Sequence, residues 1–361
     1  MSGRAEALAS EILGRVRAAG FALAGICDAR AIDRPEVLDR WLAEEHHGDM
    51  AYLAEHRAER VDPTVFVPGA RSIVCVADRY GDGRPDRRSV HGPPRGRIAR
   101  YARGRDYHQV IRERLEPLAE ELRDRFPGER FRVSVDTAPI AERDHAVRAG
   151  LGRIGKHTLL IGPRGLGSWL VLGEIVTTMQ LAPTDAMSGD PCGSCTRCID
   201  ACPTRAIEPW TVHAERCISY LTIEHRGDPA TWFRDRSDDW LFGCDACIEA
   251  CPHSAFTLRS RRSPPHPAYA LRHANFDLAE VLAWDEAAMK ALGLSEVLRR
   301  PSLEAWHRNA ILALGHATTA VAVDLLRTFA ARRDVPQSLR ALAMEQAVRL
   351  VQRPGAGSAT G

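Results

Sequence analysis

No run of roughly 18 or more uncharged apolar residues occurs in this chain of 361 residues, so nothing in it reads as a membrane-crossing helix. The apolar core of a signal peptide is missing too. MSGRAEALASEILGRVRAAG carries charge throughout and spaces Leu8, Ile12 and Val16 along one helix face. A cytoplasmic protein with no membrane partner is therefore the expectation. Net charge is only +2 at pH 7, so bulk charge selects no partner and only its distribution is informative. A dinucleotide fingerprint is absent as well. Gly150, Gly152 and Gly155 do not lead from a strand into a helix with an acidic residue beyond. These glycines read as a close backbone approach to a ligand.

Cysteine is what the chain has in excess. It holds 10, and eight lie within 192–251. Disulfides suit short secreted chains, which this is not. Cys27 and Cys75 sit in the apolar runs FALAGIC and SIVCVA and read as core residues. The rest have a pattern. Cys192, Cys195, Cys198 and Cys202-Pro203 reproduce the bacterial ferredoxin run, whose fourth cysteine ligates the other cluster of a pair. Cys244, Cys247 and Cys251-Pro252 repeat it one cysteine short, and Cys217 fills the gap. Exchange of the fourth ligands then predicts one [4Fe–4S] cluster on Cys192, Cys195, Cys198 and Cys251, and a second on Cys202, Cys217, Cys244 and Cys247. Zinc also takes CxxC pairs, but it needs no CxxxCP element.

Such a pair of clusters moves electrons, and about 190 residues precede it in which chemistry can reside. Helices are expected near 5–19, 106–125 and 139–150, and buried strands at 21–27, 72–77, 131–135 and 168–177. Strands alternating with helices predict an α/β layer. Residues 81–97 read as an exposed loop, and everything from about 278 reads as helical. There Leu303, Trp306 and Ala310 share one face, Val321, Leu325 and Phe329 another, and Leu339, Ala343, Ala347 and Leu350 a third. The tail 354–361 reads as disordered.

Asp136 lies at the carboxyl end of an apolar strand, where ligands bind open α/β sheets. A partly desolvated carboxylate there has a raised pKa and serves as a general acid; a helix cap or loop carboxylate is the alternative. Residues 84–105 hold eight arginines against Asp86 alone, with Tyr101 among them and Tyr107 just after. They read either as a phosphate-binding patch with stacking aromatics or as a solvated loop.

Together these stretches resemble the epoxyqueuosine reductase family over nearly the whole chain. The resemblance is carried by Arg60-Val61-Asp62-Pro63, Gly104-Arg105-Asp106-Tyr107-His108, Val135-Asp136, Ala149-Gly150-Leu151-Gly152, Gly173-Glu174-Ile175, Cys217-Ile218-Ser219-Tyr220-Leu221 and Phe242-Gly243-Cys244-Asp245. The segment Cys251-Pro252-His253-Ser254 departs from the family's usual text. The resemblance implies a cobalamin-binding domain at 1–180, α/β (α+β) in class and similar to the reductive dehalogenase core. It implies a ferredoxin-like two-[4Fe–4S] domain at 181–275 and an all-α HEAT-like tRNA-binding domain at 276–353. It implies that cobalt, reduced by the nearer cluster, opens the epoxide of epoxyqueuosine at tRNA position 34 (in Asp, Asn, His and Tyr acceptors) to give queuosine. Asp136 falls on the family's proton donor, and Arg60, Lys156, Ser168 and Ser219 on positions near the cofactor. Contacts to tRNA are expected at Arg100, Arg105 and Arg308. The expected electron donor is a flavodoxin or ferredoxin, and the expected state a monomer. Two other readings are a corrinoid reductase of a small molecule and a ferredoxin-type electron-transfer subunit.

Overall fold

The computed structural model describes residues 2–353 apart from 87–91, 164, 262–263 and 318–319. The expected tail and two arginines of the basic loop, Arg87 and Arg88, lie outside the described residues.

The segment SIVCVADR is rich in β-branched and apolar residues and forms the strand Ser72–Arg79, buried at all eight positions. It is an inner strand of a four-stranded sheet ordered Leu23–Asp28, Ser72–Arg79, Leu170–Thr177, Phe131–Ser134. Every neighbouring pair is antiparallel, which makes the layer α+β rather than a parallel α/β sheet. The alternation of strand and helix does not distinguish the two. What decides is whether a connection re-enters the sheet at the end it left or crosses to the other end.

One face of the sheet (Ile26, Val74, Val76, Val133, Ile175) packs with Leu8, Ile12, Ile111 and Leu115 from the helices Ser2–Ala18 and Tyr107–Arg125. The other face (Cys27, Ile73, Cys75, Ala77, Val176) packs with Phe66 and Ala146. Burying each such aliphatic side chain contributes about 1.5–3 kcal/mol. Cys27 and Cys75 are core residues, 2% and 1% exposed.

A second sheet crosses the expected segments. Arg95–Ile98 pairs in parallel with Trp240–Phe242 and antiparallel with Asn275–Asp277. This corrects the reading of 81–97 as an exposed loop, because Arg95–Ile98 is the central strand and three of its four residues are buried. Its polar look misleads. Arg97 is paired with Asp238 and Asp239 and lies over the Trp240 ring.

Behind this sheet lie the helices Leu303–Leu314, Ala320–Ala330 and Gln337–Gln352. Trp306 touches Phe242, Phe276 and Trp284. One apolar cluster therefore runs from Leu8 to Leu350. Within Ala320–Ala330 the buried face is Ala322, Leu326 and Phe329, while Val321 is 55% exposed. Of the expected Val321, Leu325 and Phe329 face, Phe329 is buried and Leu325 packs partly buried against the core, while Val321 faces out and Ala322 and Leu326 take the inner positions. AVAVDLL is apolar nearly all round, so two faces fit its spacing.

Candidate active site and cluster-binding cysteines

The eight clustered cysteines face two separate spaces. Cys192, Cys195, Cys198 and Cys251 line a cavity of about 20 Å³. Cys202, Cys217, Cys244 and Cys247 line one wall of a cavity of about 1340 Å³. None of the ten cysteines is in a disulfide. Burial pushes the Cys244 and Cys247 thiols well up, and raises Cys198, Cys217 and Cys251 as well. Without a metal these thiols keep their protons, and a bound cation displaces them. Two sulfurs already accept backbone hydrogen bonds: Cys192 from Lys156 at 3.3 Å and Cys202 from Ala206 at 3.2 Å. Donors of this kind tune a cluster's potential.

Asp136 borders the large cavity one residue beyond the fully buried Val135. Its φ is +54°, and Thr137 N donates to Val135 O across it at 2.6 Å. Such a three-residue turn with positive φ is strained, and it swings the carboxylate off the sheet. The side chain is 55% exposed, toward the cavity. Its Oδ2 lies 3.1 Å from His108 Nε2, and His108 Nδ1 lies 2.8 Å from Asp106 Oδ1. Asp106 also accepts from His108 N, which caps the helix Tyr107–Arg125. The cap that starts the helix therefore also orients the imidazole.

Burial opposes charge on His108, but the hydrogen bonds it donates to Asp106 and Asp136 outweigh it and push its pKa up to about 9. Burial likewise raises Asp136, yet the His108 hydrogen bond and charge outweigh it and hold the carboxyl below its usual range. This corrects the picture of a lone acid with a raised pKa. At neutral pH the proton sits on His108 and Asp136 is ionised. Glu142, which accepts from Asp136 N at 2.7 Å, is pushed well up by burial and by the charges of Glu174 and Asp136.

Arg60, Ser168 and Ser219 all border the large cavity. The Arg60 Nε is buried with no hydrogen-bond partner among the described residues, a donor available to a ligand. Lys156 is elsewhere. Its Nζ donates to Gly193 O at 2.7 Å and Cys195 O at 3.0 Å, so it braces the loop of the small cavity. Gly150 and Gly152 also serve the chain itself. A Cβ there would come within 2.3 Å of Asp185 O and 2.4 Å of Ile161 O.

Two expected tRNA contacts do not reach the surface. Arg308 is 4% exposed and donates to the carbonyls of Leu221, His225 and Gly227. Arg100 has a 9% exposed side chain paired with Asp86 and Glu249. Arg103 also pairs with Asp86, so much of the basic run is internal. Arg105 remains at the surface, 37% exposed beside Glu113.

His108 and His157 border the large cavity, and the sequence reading gave neither a role of its own; Tyr107, read there as a candidate stacking aromatic, borders it too. The signal for His108 was the Asp-x-His spacing at a helix start. His157 borders both cavities, and burial brings its pKa down to about 4. Its Nδ1 accepts from Leu159 N at 3.2 Å, which leaves the proton on Nε2, 3.5 Å from Ser168 Oγ. Arginines 60, 112, 143, 299 and 300 also border the large cavity; the last two come from the C-terminal third of the chain.

Residues 60–137 match the family model described as epoxyqueuosine reductase QueG, DUF1730. Residues 191–254 match the 4Fe-4S double cluster binding domain. The chain is 37% identical to an epoxyqueuosine reductase of Pseudomonas aeruginosa, over 95% of this chain and 94% of that one. It is 40% identical to one of Xanthomonas campestris, over 92% of each. Its fold is similar to a solved epoxyqueuosine reductase bound to an epoxyqueuosine-modified tRNA-Tyr stem loop. There the TM-score is 0.81 at 30% identity, covering 94% of this chain and 90% of that one.

Proposed function

This chain belongs to the epoxyqueuosine reductase family, and from that premise we propose that it reduces epoxyqueuosine at the wobble position of tRNA to queuosine, using cobalamin and two [4Fe–4S] clusters. Two electrons and two protons convert the epoxide to an alkene and water. The observation that carries this reading is the large cavity, which has Asp136 and His108 on its wall together with four cysteines.

The cavity suits a corrinoid. At about 1340 Å³ it exceeds the roughly 300–1,000 Å³ of ordinary ligand pockets. It offers tyrosine, serine and arginine donors, including the unpartnered Arg60 Nε. When bound, cobalamin supplies the low-potential cobalt that breaks the carbon–oxygen bond. Arg60, Ser168 and Ser219 would hold it.

Cys192, Cys195, Cys198 and Cys251 hold one cluster in this reading, and Cys202, Cys217, Cys244 and Cys247 hold the one facing the substrate. Asp136 takes the proton stored on His108 and delivers it to the epoxide oxygen, which leaves poorly as an anion. A positioned acid contributes about 10²–10⁴-fold. Arg112 and Arg299 at the cavity, with Arg105, meet tRNA phosphates. The protein works in the cytoplasm as a monomer, supplied by a flavodoxin or ferredoxin.

The test is direct. Anaerobically reconstituted protein with cobalamin and a low-potential reductant is given an anticodon stem loop carrying epoxyqueuosine, and its nucleosides are analysed. Queuosine should accumulate. Unchanged epoxyqueuosine, with eight irons and a corrinoid in place, refutes the reading.

A further inference from the structure

His46 and His213 are 167 residues apart in the chain, yet they meet. His46 lies in the turn after the helix Pro35–Ala43, and His213 precedes the short turn Ala214–Arg216 that leads into Cys217. Ala214 N donates to His46 O at 2.8 Å, and Trp41 Nε1 donates to Val212 O at 2.8 Å. These bonds hold the two segments side by side.

Three ligand atoms converge between them. His46 Nδ1 and His213 Nδ1 lie 3.2 Å apart. One oxygen of Glu215, Oε1, is 3.8 Å from the first and 3.5 Å from the second. Zinc–nitrogen bonds of about 2.0–2.1 Å at tetrahedral angles separate neighbouring ligand atoms by about 3.3 Å. The observed triangle of 3.2, 3.5 and 3.8 Å has that size.

The surroundings match a metal site too. His46 Nε2 lies 3.0 Å from Glu44 Oε2, and His213 Nε2 lies 3.2 Å from Glu208 Oε1. A carboxylate oxygen thus lies near each outer nitrogen, but His213 Nε2 is buried with no hydrogen-bond partner among the described residues; a cation on the inner nitrogens would leave each outer N–H to donate toward its carboxylate. Glu215 Oε2 is buried with no hydrogen-bond partner among the described residues. Arg216 competes for Oε1 only from 3.7 Å and is half exposed.

We propose that His46 Nδ1, His213 Nδ1 and the Glu215 carboxylate form a binding site for a divalent transition metal, zinc being the best match. Two imidazoles and a carboxylate are a known zinc set with one open position. The ion is redox-silent and separate from the clusters and the corrinoid, so the site does not depend on the catalytic reading. It staples the 44–50 turn to the segment that delivers Cys217.

The test adds zinc chloride to cluster-replete holoenzyme and desalts it. Metal counts and the zinc K-edge spectrum are then read. One zinc per chain is expected beside eight irons, with a shell of nitrogen and oxygen at about 2.0–2.1 Å. His46→Ala and His213→Ala should lose the zinc and keep the irons. Glu215→Gln, which preserves shape, should weaken zinc binding at least tenfold and decides the matter if a histidine variant also loses iron. A sulfur shell at about 2.3 Å, zinc bound equally by all variants, or no retained zinc overturns the proposal; the last leaves a simple imidazole pair sharing a proton.

Discussion

Cys192, Cys195, Cys198 and Cys251 enclose about 20 Å³, whereas Cys202, Cys217, Cys244 and Cys247 form one wall of a space of about 1340 Å³ that also holds Asp136 and His108. Near-identical sequence runs thus produce two different surroundings. One is a thiol cage closed on itself, braced by Lys156. The other opens onto the chamber where chemistry can occur. Electrons passing in sequence would enter at the first and leave at the second.

The largest effect should separate the two quartets. Cys217→Ser should remove the irons of the chamber-facing cluster and abolish turnover. Iron counting with electron paramagnetic resonance checks whether the other cluster survives. If Cys217→Ser keeps eight irons and normal spectra, the assignment of the quartets fails.

Next in size is Asp136→Asn. Turnover should fall by about 10²–10⁴-fold with both clusters and corrinoid retained, measured by single-turnover nucleoside analysis. An unchanged rate would make Asp136 a mere turn residue and leave the chamber without its acid.

His108→Gln should cost less and change the pH profile. With a pKa raised to about 9, wild-type His108 is protonated at neutral pH, so the rate should fall as pH rises through about 9. The variant should lack that limb. The sign for stability agrees. A histidine raised above its unfolded value of about 6.5 contributes stability that is complete below that value and lost as pH rises through the folded one.

The smallest effects distinguish scaffold from surface. Arg308→Met should leave three carbonyls without their donor, at about 1–3 kcal/mol each. The melting temperature should drop while the KM for tRNA at a permissive temperature holds. Arg299→Ala should do the reverse: an unchanged melting temperature, a KM for tRNA raised a few-fold, and a salt-dependence slope shallower by about 0.7–0.9. Should Arg308→Met raise only KM, the buried arginine is a phosphate contact after all.

What could be read from residues alone depended on how local the cause was. The helix near 106–125 and the buried strand at 72–77 follow from spacing and β-branching, and the structure has Tyr107–Arg125 and Ser72–Arg79. Arg308 and Arg100 were misjudged because a charged side chain reads as solvated until its partners are known. Those partners, Leu221 and Glu249 among them, lie 87 and 149 residues away. The pairing of His46 with His213 is invisible to local spacing for the same reason, since the two are 167 residues apart.

The sequence by itself marked the clustered thiols as a metal-binding set, because the CxxCxxCxxxCP spacing confines three sulfurs to one tight loop and turns the fourth away. Only the tertiary structure decided which quartet faces the chamber, where the proton rests between Asp136 and His108, and that Arg95–Ile98 joins the three segments in one sheet. Those features depend on desolvation and on contacts between residues far apart in the chain, and local spacing does not encode them.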